Sequence, residues 1–196
     1  NEGPGPRFLD YVSDVLVFTS EDGRHYEFQQ SLAVGSDEGV HCYEDPRVQR
    51  VRTAEGEAVV MTYTHLPPPG SGRPWQVGCD RLEYADGRFA LRTTSTAPIG
   101  PSHVPDKDAV LFNLRDGRLA YIHRVHPNIQ LALFESLDDL IEPADGYWDD
   151  HLRRLEEHTI LRPSAGALGI GAGAPPVPTT AGFLLFFHER EANGHY

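Results

Sequence analysis

The chain has 196 residues, 39% of them apolar, and a formal charge of −12, which suits one ordinary domain with enough core to fold. Its 17 Lys and Arg are scattered rather than clustered, which excludes the basic stripe that nucleic-acid phosphates require. No stretch approaches the ~18 apolar residues of a membrane helix, and Cys42 and Cys79 are too few for a disulfide scaffold. The expected setting is reduced and cytoplasmic, and the expected partner is an uncharged, hydroxyl-rich ligand met by acidic and aromatic groups. The negative balance taken by itself also serves plain solubility. The opening Asn1-Glu2-Gly3-Pro4 is not a signal peptide and carries no initiator Met, so both ends read as cut from a longer chain.

Taken in chain order, most apolar runs are short and strand-like. They are Val15-Leu16-Val17-Phe18, Val59-Val60-Met61-Thr62-Tyr63, Ala109-Val110-Leu111-Phe112, Leu119-Ala120-Tyr121-Ile122, Ile129-Gln130-Leu131-Ala132-Leu133 and Phe183-Leu184-Leu185-Phe186-Phe187. Gly, Pro and Asp punctuate them, and 19 Gly with 16 Pro suit many turns. Only residues 147–158 read as a helix, with Trp148, Leu152 and Leu155 at helical spacing among charges.

Three segments share one plan: a small or polar residue, an extended run, a glycine turn, and an apolar strand closing on His. The first runs from Asp45-Pro46-Arg47-Val48 through Glu55-Gly56 to Tyr63-Thr64-His65. The second runs from Asp108-Ala109-Val110-Leu111 through Asp116-Gly117 to Tyr121-Ile122-His123, and the third from Ala174-Pro175-Pro176-Val177 through Ala181-Gly182 to Phe186-Phe187-His188. Their starts lie 63 and 66 residues apart. A second motif runs between them: Phe18-Thr19-Ser20-Glu21-Asp22-Gly23, Leu82-Glu83-Tyr84-Ala85-Asp86-Gly87 and Phe134-Glu135-Ser136-Leu137-Asp138-Asp139, each expected as an outer strand entering a turn. Two alternating hairpins per period describe a four-stranded blade of an all-β propeller. A β-sandwich, which has no such period, ranks second, and a doubly wound fold would need several more helices.

Inner strands of a propeller line its central funnel. Residues at repeat starts and strand ends therefore converge there, which draws Glu44, Asp45, Arg47, Lys107, Asp108, Arg124 and His188 toward one pocket. Carboxylates beside cations in a cleft suit acid catalysis on an acetal oxygen. The structural alternative is that these charges tie one blade to the next.

Tyr43-Glu44-Asp45-Pro46-Arg47, then Asp106-Lys107-Asp108-Ala109-Val110-Leu111-Phe112, then His123-Arg124, then Gly171-Ala172-Gly173-Ala174-Pro175-Pro176 with Phe187-His188, resemble the ordered signature motifs of glycoside hydrolase family 130. The resemblance implies a five-bladed β-propeller. Residues 1–196 would be a single partial domain, an incomplete arc of about three blades with one helical insertion, lacking N- and C-terminal portions. It implies an inverting enzyme acting on β-mannosides, with Asp45 as the catalytic acid working through a sugar hydroxyl. Arg47 would lower the Asp45 pKa while burial raised it. Asp108 would bind sugar hydroxyls of the cleaved unit, with Glu44, Arg47 and Thr64 as further substrate-binding candidates.

The acceptor is water or phosphate. Family phosphorylases use a basic cluster to desolvate and aim a dianion. This chain keeps Arg124 and His188, has Lys107 where Arg is expected and has Gly169 where Lys is expected. Because Lys does not reproduce Arg's planar fork, the reading favours an inverting β-mannosidase. A β-mannoside phosphorylase releasing mannose 1-phosphate is the alternative, and a non-catalytic carbohydrate-binding fragment the second. The stretches Asn128-Ile129-Gln130-Leu131-Ala132 and Tyr147-Trp148-Asp149-Asp150-His151-Leu152 also resemble the hydrolytic branch. Hydrolysis needs a second carboxylate as base, for which Glu189 is the candidate. No cofactor is expected, with inorganic phosphate a co-substrate only in a phosphorylase. Homo-oligomerisation stays open. A metal site is not expected: no His follows His188 at helical spacing, and Gly169-Ile170-Gly171-Ala172-Gly173 runs into prolines rather than opening a nucleotide-binding helix.

Overall fold

The computed structural model describes residues 12–36, 41–93 and 98–195. Strands β1 (Val15–Thr19) and β2 (Glu27–Ala33) form an antiparallel hairpin. Strands β3 (Cys42–Thr53), β4 (Gly56–Leu66), β5 (Gln76–Ala85) and β6 (Arg88–Thr93) follow as a four-stranded antiparallel sheet in sequence order. A second such sheet is made by β7 (Lys107–Asn113), β8 (Leu119–Arg124) and β9 (Ile129–Phe134), closed by β10 (Thr159–Leu161). Helices α1 (Leu137–Ile141), α2 (Tyr147–Arg153) and α3 (Leu155–His158) connect β9 to β10. Of the last four strands, β11 (Ala167–Ala172) pairs with β14 (Phe187–Glu191), and β12 (Val177–Thr179) with β13 (Gly182–Leu184). The chain is thus mostly β, in several small antiparallel sheets. No helix among the described residues is long and apolar enough to cross a membrane.

Sequence explains the layering. In β4, Val60 to Thr64 are buried without alternation, as in a strand covered on both faces, whereas β6 alternates exposed with half-buried positions as an outer strand does. The β5–β6 link is a two-residue turn with Asp86 at φ 52° and Gly87 at φ 77°, the left-handed pair that matches strand twist. Each sheet packs on the next. Val15, Ala33, Met61 and Tyr63 join the first hairpin to the first sheet. Val51, Val60, Val77, Leu111, Leu119 and Phe134 join the two large sheets, and Val110, Ile122, Ile170 and Ala172 join the second sheet to β11. Each Val, Leu, Ile, Met or Phe among them contributes ~1.5–3 kcal/mol when fully buried.

Polar pegs set the register between the two large sheets. Leu111 N donates to Gln49 Oε1 (3.2 Å), Thr62 Oγ1 donates to the Ala109 carbonyl (2.7 Å), and Arg52 N donates to Asn113 Oδ1 (2.7 Å). The first two satisfy main-chain groups of β7 and the third one of β3, which strands with no partner on that side would leave orphaned.

Three expectations are corrected. The helix over residues 147–158 breaks at Arg154 into α2 and α3. The segment from Phe134 to Asp139 is not an outer strand entering a turn. Ser136 caps α1 by accepting from Asp139 N at 3.1 Å, and Leu137 and Leu140 are buried, so a cap and two core side chains outweigh the strand pattern. The apolar run from Phe183 to Phe187 is split between β13 and β14. It runs opposite Pro175 and Pro176, which have no N–H to give, and among the described residues Gly173 N to Phe186 O (2.9 Å) is the main-chain bond that bridges the gap. Cys42 and Cys79 are free thiols, both buried.

Candidate active site

Two equivalent irregularities build the site. In β3 the register slips between Glu44 and Arg47, and in β7 between Lys107 and Val110. Each slip carries an Asp in the left-handed region, Asp45 at φ 50° and Asp108 at φ 55°, a conformation that Asp tolerates better than most residues. The bulge also resets side-chain phase. Glu44 and Arg47, three apart, pair with Thr64 and Thr62, two apart, so all four share one face. In the second sheet the same slip lays Lys107 beside Arg124.

Asp108 is the hub. It is about 2% exposed, and its Oδ1 accepts from Arg47 Nη2 at 3.1 Å. Its Oδ2 lies 3.1 Å from Arg124 Nε and 3.9 Å from His188 Nε2. The Arg124 approach is off the hydrogen-bond line, leaving Oδ2 with no aligned donor among the described residues, so charge rather than a directed bond holds it. Arg47 spans the site: Nη1 donates to the Asp45 carbonyl (3.0 Å), Nη2 also to the Ala172 carbonyl (2.9 Å), and Nε to the Gly173 carbonyl (2.7 Å). One guanidinium therefore ties β3, β7 and the end of β11 together. The His188 pKa lies below the ordinary imidazole value, first because of burial and further because Arg124, Arg47 and Lys107 face it, with Asp108 opposing.

The sequence-predicted residues divide as follows. Asp45 is exposed, half-buried Glu44 stands across from Thr64, and Thr64 is buried with Oγ1 lacking a hydrogen-bond partner among the described residues. Lys107, Asp108, Arg124 and His188 are drawn together with Arg47. Glu189 is not among them. As the next residue along β14 it faces away from His188, and its Oε1 accepts from Ser164 N (2.8 Å) and Ser164 Oγ (3.1 Å). His123 is also withdrawn: its Nδ1 lies 3.0 Å from both Asp106 oxygens and its Nε2 3.1 Å from His151 Nε2, all buried.

The residue that sequence reasoning passed over is Gly171. A Cβ there would stand 2.3 Å from Asp108 Oδ2 and 2.7 Å from His188 Nε2, so only glycine lets β11 close on the hub. The signal lay in the glycine run of residues 169–173, which marks close backbone approach as readily as a nucleotide loop. Among the described residues no group of three or more His, Cys, Asp or Glu is placed to hold a metal ion.

Compared with models of known protein families, the chain matches none. Among curated proteins it is 30% identical over 205 aligned positions to a 1,2-β-oligomannan phosphorylase of Thermoanaerobacter sp. (strain X514). That alignment covers 99% of this chain and 59% of the relative, so the chain spans less than two thirds of that protein. Along nearly all of its length, this chain is a distant homologue of a member of glycoside hydrolase family 130.

Proposed function

We propose that the protein carrying this chain cleaves β-mannosides, 1,2-β-oligomannan in the first instance, by phosphorolysis with inversion. The carrying observation is the asymmetry of the site. Strand β3 holds the acids Glu44 and Asp45 and also Arg47, whose guanidinium joins Lys107 and Arg124 around the single carboxylate of Asp108, with His188 beside them, its pKa lowered chiefly by burial. An exposed acid close to a cation-rich cluster suits proton delivery to a leaving oxygen beside an incoming anion. A phosphate oxygen attacks the anomeric carbon, the glycosidic C–O bond breaks, and Asp45 gives its proton through a sugar hydroxyl to the departing alkoxide. The products are mannose 1-phosphate and a chain shorter by one unit.

This reverses the preference for water drawn from Lys107 and Gly169. The activity of the relative supports phosphate, and Glu189, the candidate base for hydrolysis, is engaged with Ser164 on the other side of β14. For the fold we propose a five-bladed propeller arc. In support, the two four-stranded sheets and the incomplete third unit follow one another in sequence order, each packed on the last. The test follows β-1,2-mannobiose cleavage with and without phosphate, separating mannose from mannose 1-phosphate. Phosphate-dependent release of the sugar phosphate is expected; phosphate-independent release of free mannose rejects the proposal.

A further inference from the structure

Gly169 and Gly171 lie two apart on a regular stretch of β11, where Gly169 pairs with Arg190 and Gly171 with His188. They therefore open onto the same face. Over Gly171 stand Asp108 and His188. Over Gly169 stands His126, whose Cε1 and Nδ1 would be 3.1 and 3.2 Å from a Cβ placed there. The imidazole of His126 thus occupies the space that a side chain at position 169 would fill, one step along the strand from the hub.

That step is about 6.6 Å, roughly the gap that one tetrahedral anion fills when gripped from both sides by charge-assisted hydrogen bonds of about 2.8 Å. The seat of His126 is fixed on both sides. Val125 N donates to Gln130 Oε1 (2.8 Å), Gln130 Nε2 donates to the Val125 carbonyl (3.1 Å), and Ile170 N donates to the Pro127 carbonyl (3.1 Å). Gln130 is fully buried, and the lowered dielectric around it strengthens its two bonds to Val125. The loop after Arg124 is pinned before and after His126, and the imidazole rests on a glycine.

We propose that His126 is a phosphate-binding residue of this site, a second imidazole on the anion side beside His188. It compensates there for the glycine at position 169. The assignment rests on the phosphorolytic reading given above. His126→Ala in the full-length protein should raise the KM for inorganic phosphate by about ten- to a hundredfold, the loss of one hydrogen bond to a charged group. The KM for the mannoside and the melting temperature should stay unchanged. Gly169→Ala, whose Cβ would press on the imidazole at 3.1 Å, should shift the phosphate KM in the same direction and serves if the first variant fails to fold. Asn in place of His126, with an amide N–H near the Nδ1 position, should recover most of the loss. A wild type that needs phosphate, with an unchanged phosphate KM in the Ala variants, overturns the role of His126 and leaves phosphorolysis standing. A wild type that neither binds inorganic phosphate by calorimetry nor needs it for turnover overturns both.

Discussion

Asp45 and Asp108 hold the same backbone conformation at equivalent points of two successive hairpins, yet their surroundings give them different work. Asp45 is exposed, and the neighbouring guanidinium of Arg47 is bonded to its carbonyl rather than its carboxylate, so its acid is available to a substrate. Asn is the other residue at ease in the left-handed region, which makes Asp45→Asn a clean removal of the acid. Turnover should fall ~10²–10⁴-fold with an unchanged melting curve, and a variant keeping half of normal activity would make Asp45 structural. Asp108 is instead, among the described residues, the carboxylate paired with two guanidinium groups whose side chains are 10% and 15% exposed. Asp108→Ala strands both cations, so a loss of ~3–5 kcal/mol is expected, read from urea denaturation; less than ~1 kcal/mol would show that water screens the cluster.

Among the elements, the hairpins β3–β4 and β7–β8 were legible in the sequence because β4, β7 and β8 carry stretches buried on both faces that read as short, mostly apolar runs near a glycine turn. Strand β2, Glu27–Ala33, was not, since its polar residues are mostly exposed and carry little pattern. Helix α1 escaped because it is held by a cap and two core leucines rather than by repeated periodicity. Helix α2 was legible, but what it docks was not. It buries His151 against His123, His158 and Trp148, and the His151 pKa falls to about 3, first from burial, then from His123, His158 and Arg154, with Asp150 opposing. The sign follows directly. Above the ordinary imidazole value of about 6.5 both folded and unfolded chains are neutral here, and the stability is complete. Below it the unfolded chain takes up a proton that folded His151 refuses until about pH 3, so stability falls by up to ~1.4 kcal/mol per pH unit. His65 and His188, also lowered by burial, act in the same direction. Urea midpoints at pH 7, 6 and 5 should decline, and His151→Phe should flatten the decline by about one proton; an unaltered slope would mean that His151 is protonated in the fold.

At the scale of the whole molecule, the gathering of Arg47, Lys107, Asp108, Arg124 and His188 was legible because the repeat period places equivalent strand ends at one point. The side of β14 on which Glu189 falls was not, because a one-residue step reverses it and only pairing fixes the parity. The same repeat accounts for an imbalance in surface. Interior sheets are covered on both faces, but the outermost units are covered on one. At the first hairpin Leu16, Phe18, Tyr26 and Phe28 are exposed, with Phe18 and Phe28 in edge contact at 5.6 Å. At the last unit Leu168, Val177, Leu184, Phe186 and Phe187 are exposed. Monomeric proteins rarely leave contiguous apolar patches larger than a few hundred Å² in water, and a sheet of two strands is marginal alone. The chain spans 59% of its relative, and a propeller arc would meet further sheets at these two faces. Residues 1–196 expressed by themselves should therefore self-associate with rising concentration in sedimentation velocity. Phe18→Ser together with Phe187→Ser, one on each face, should return them toward the monomer. A chain that stays monomeric at high concentration without those substitutions would show that the two faces are ordinary surface, and the arc reading would lose its support from packing.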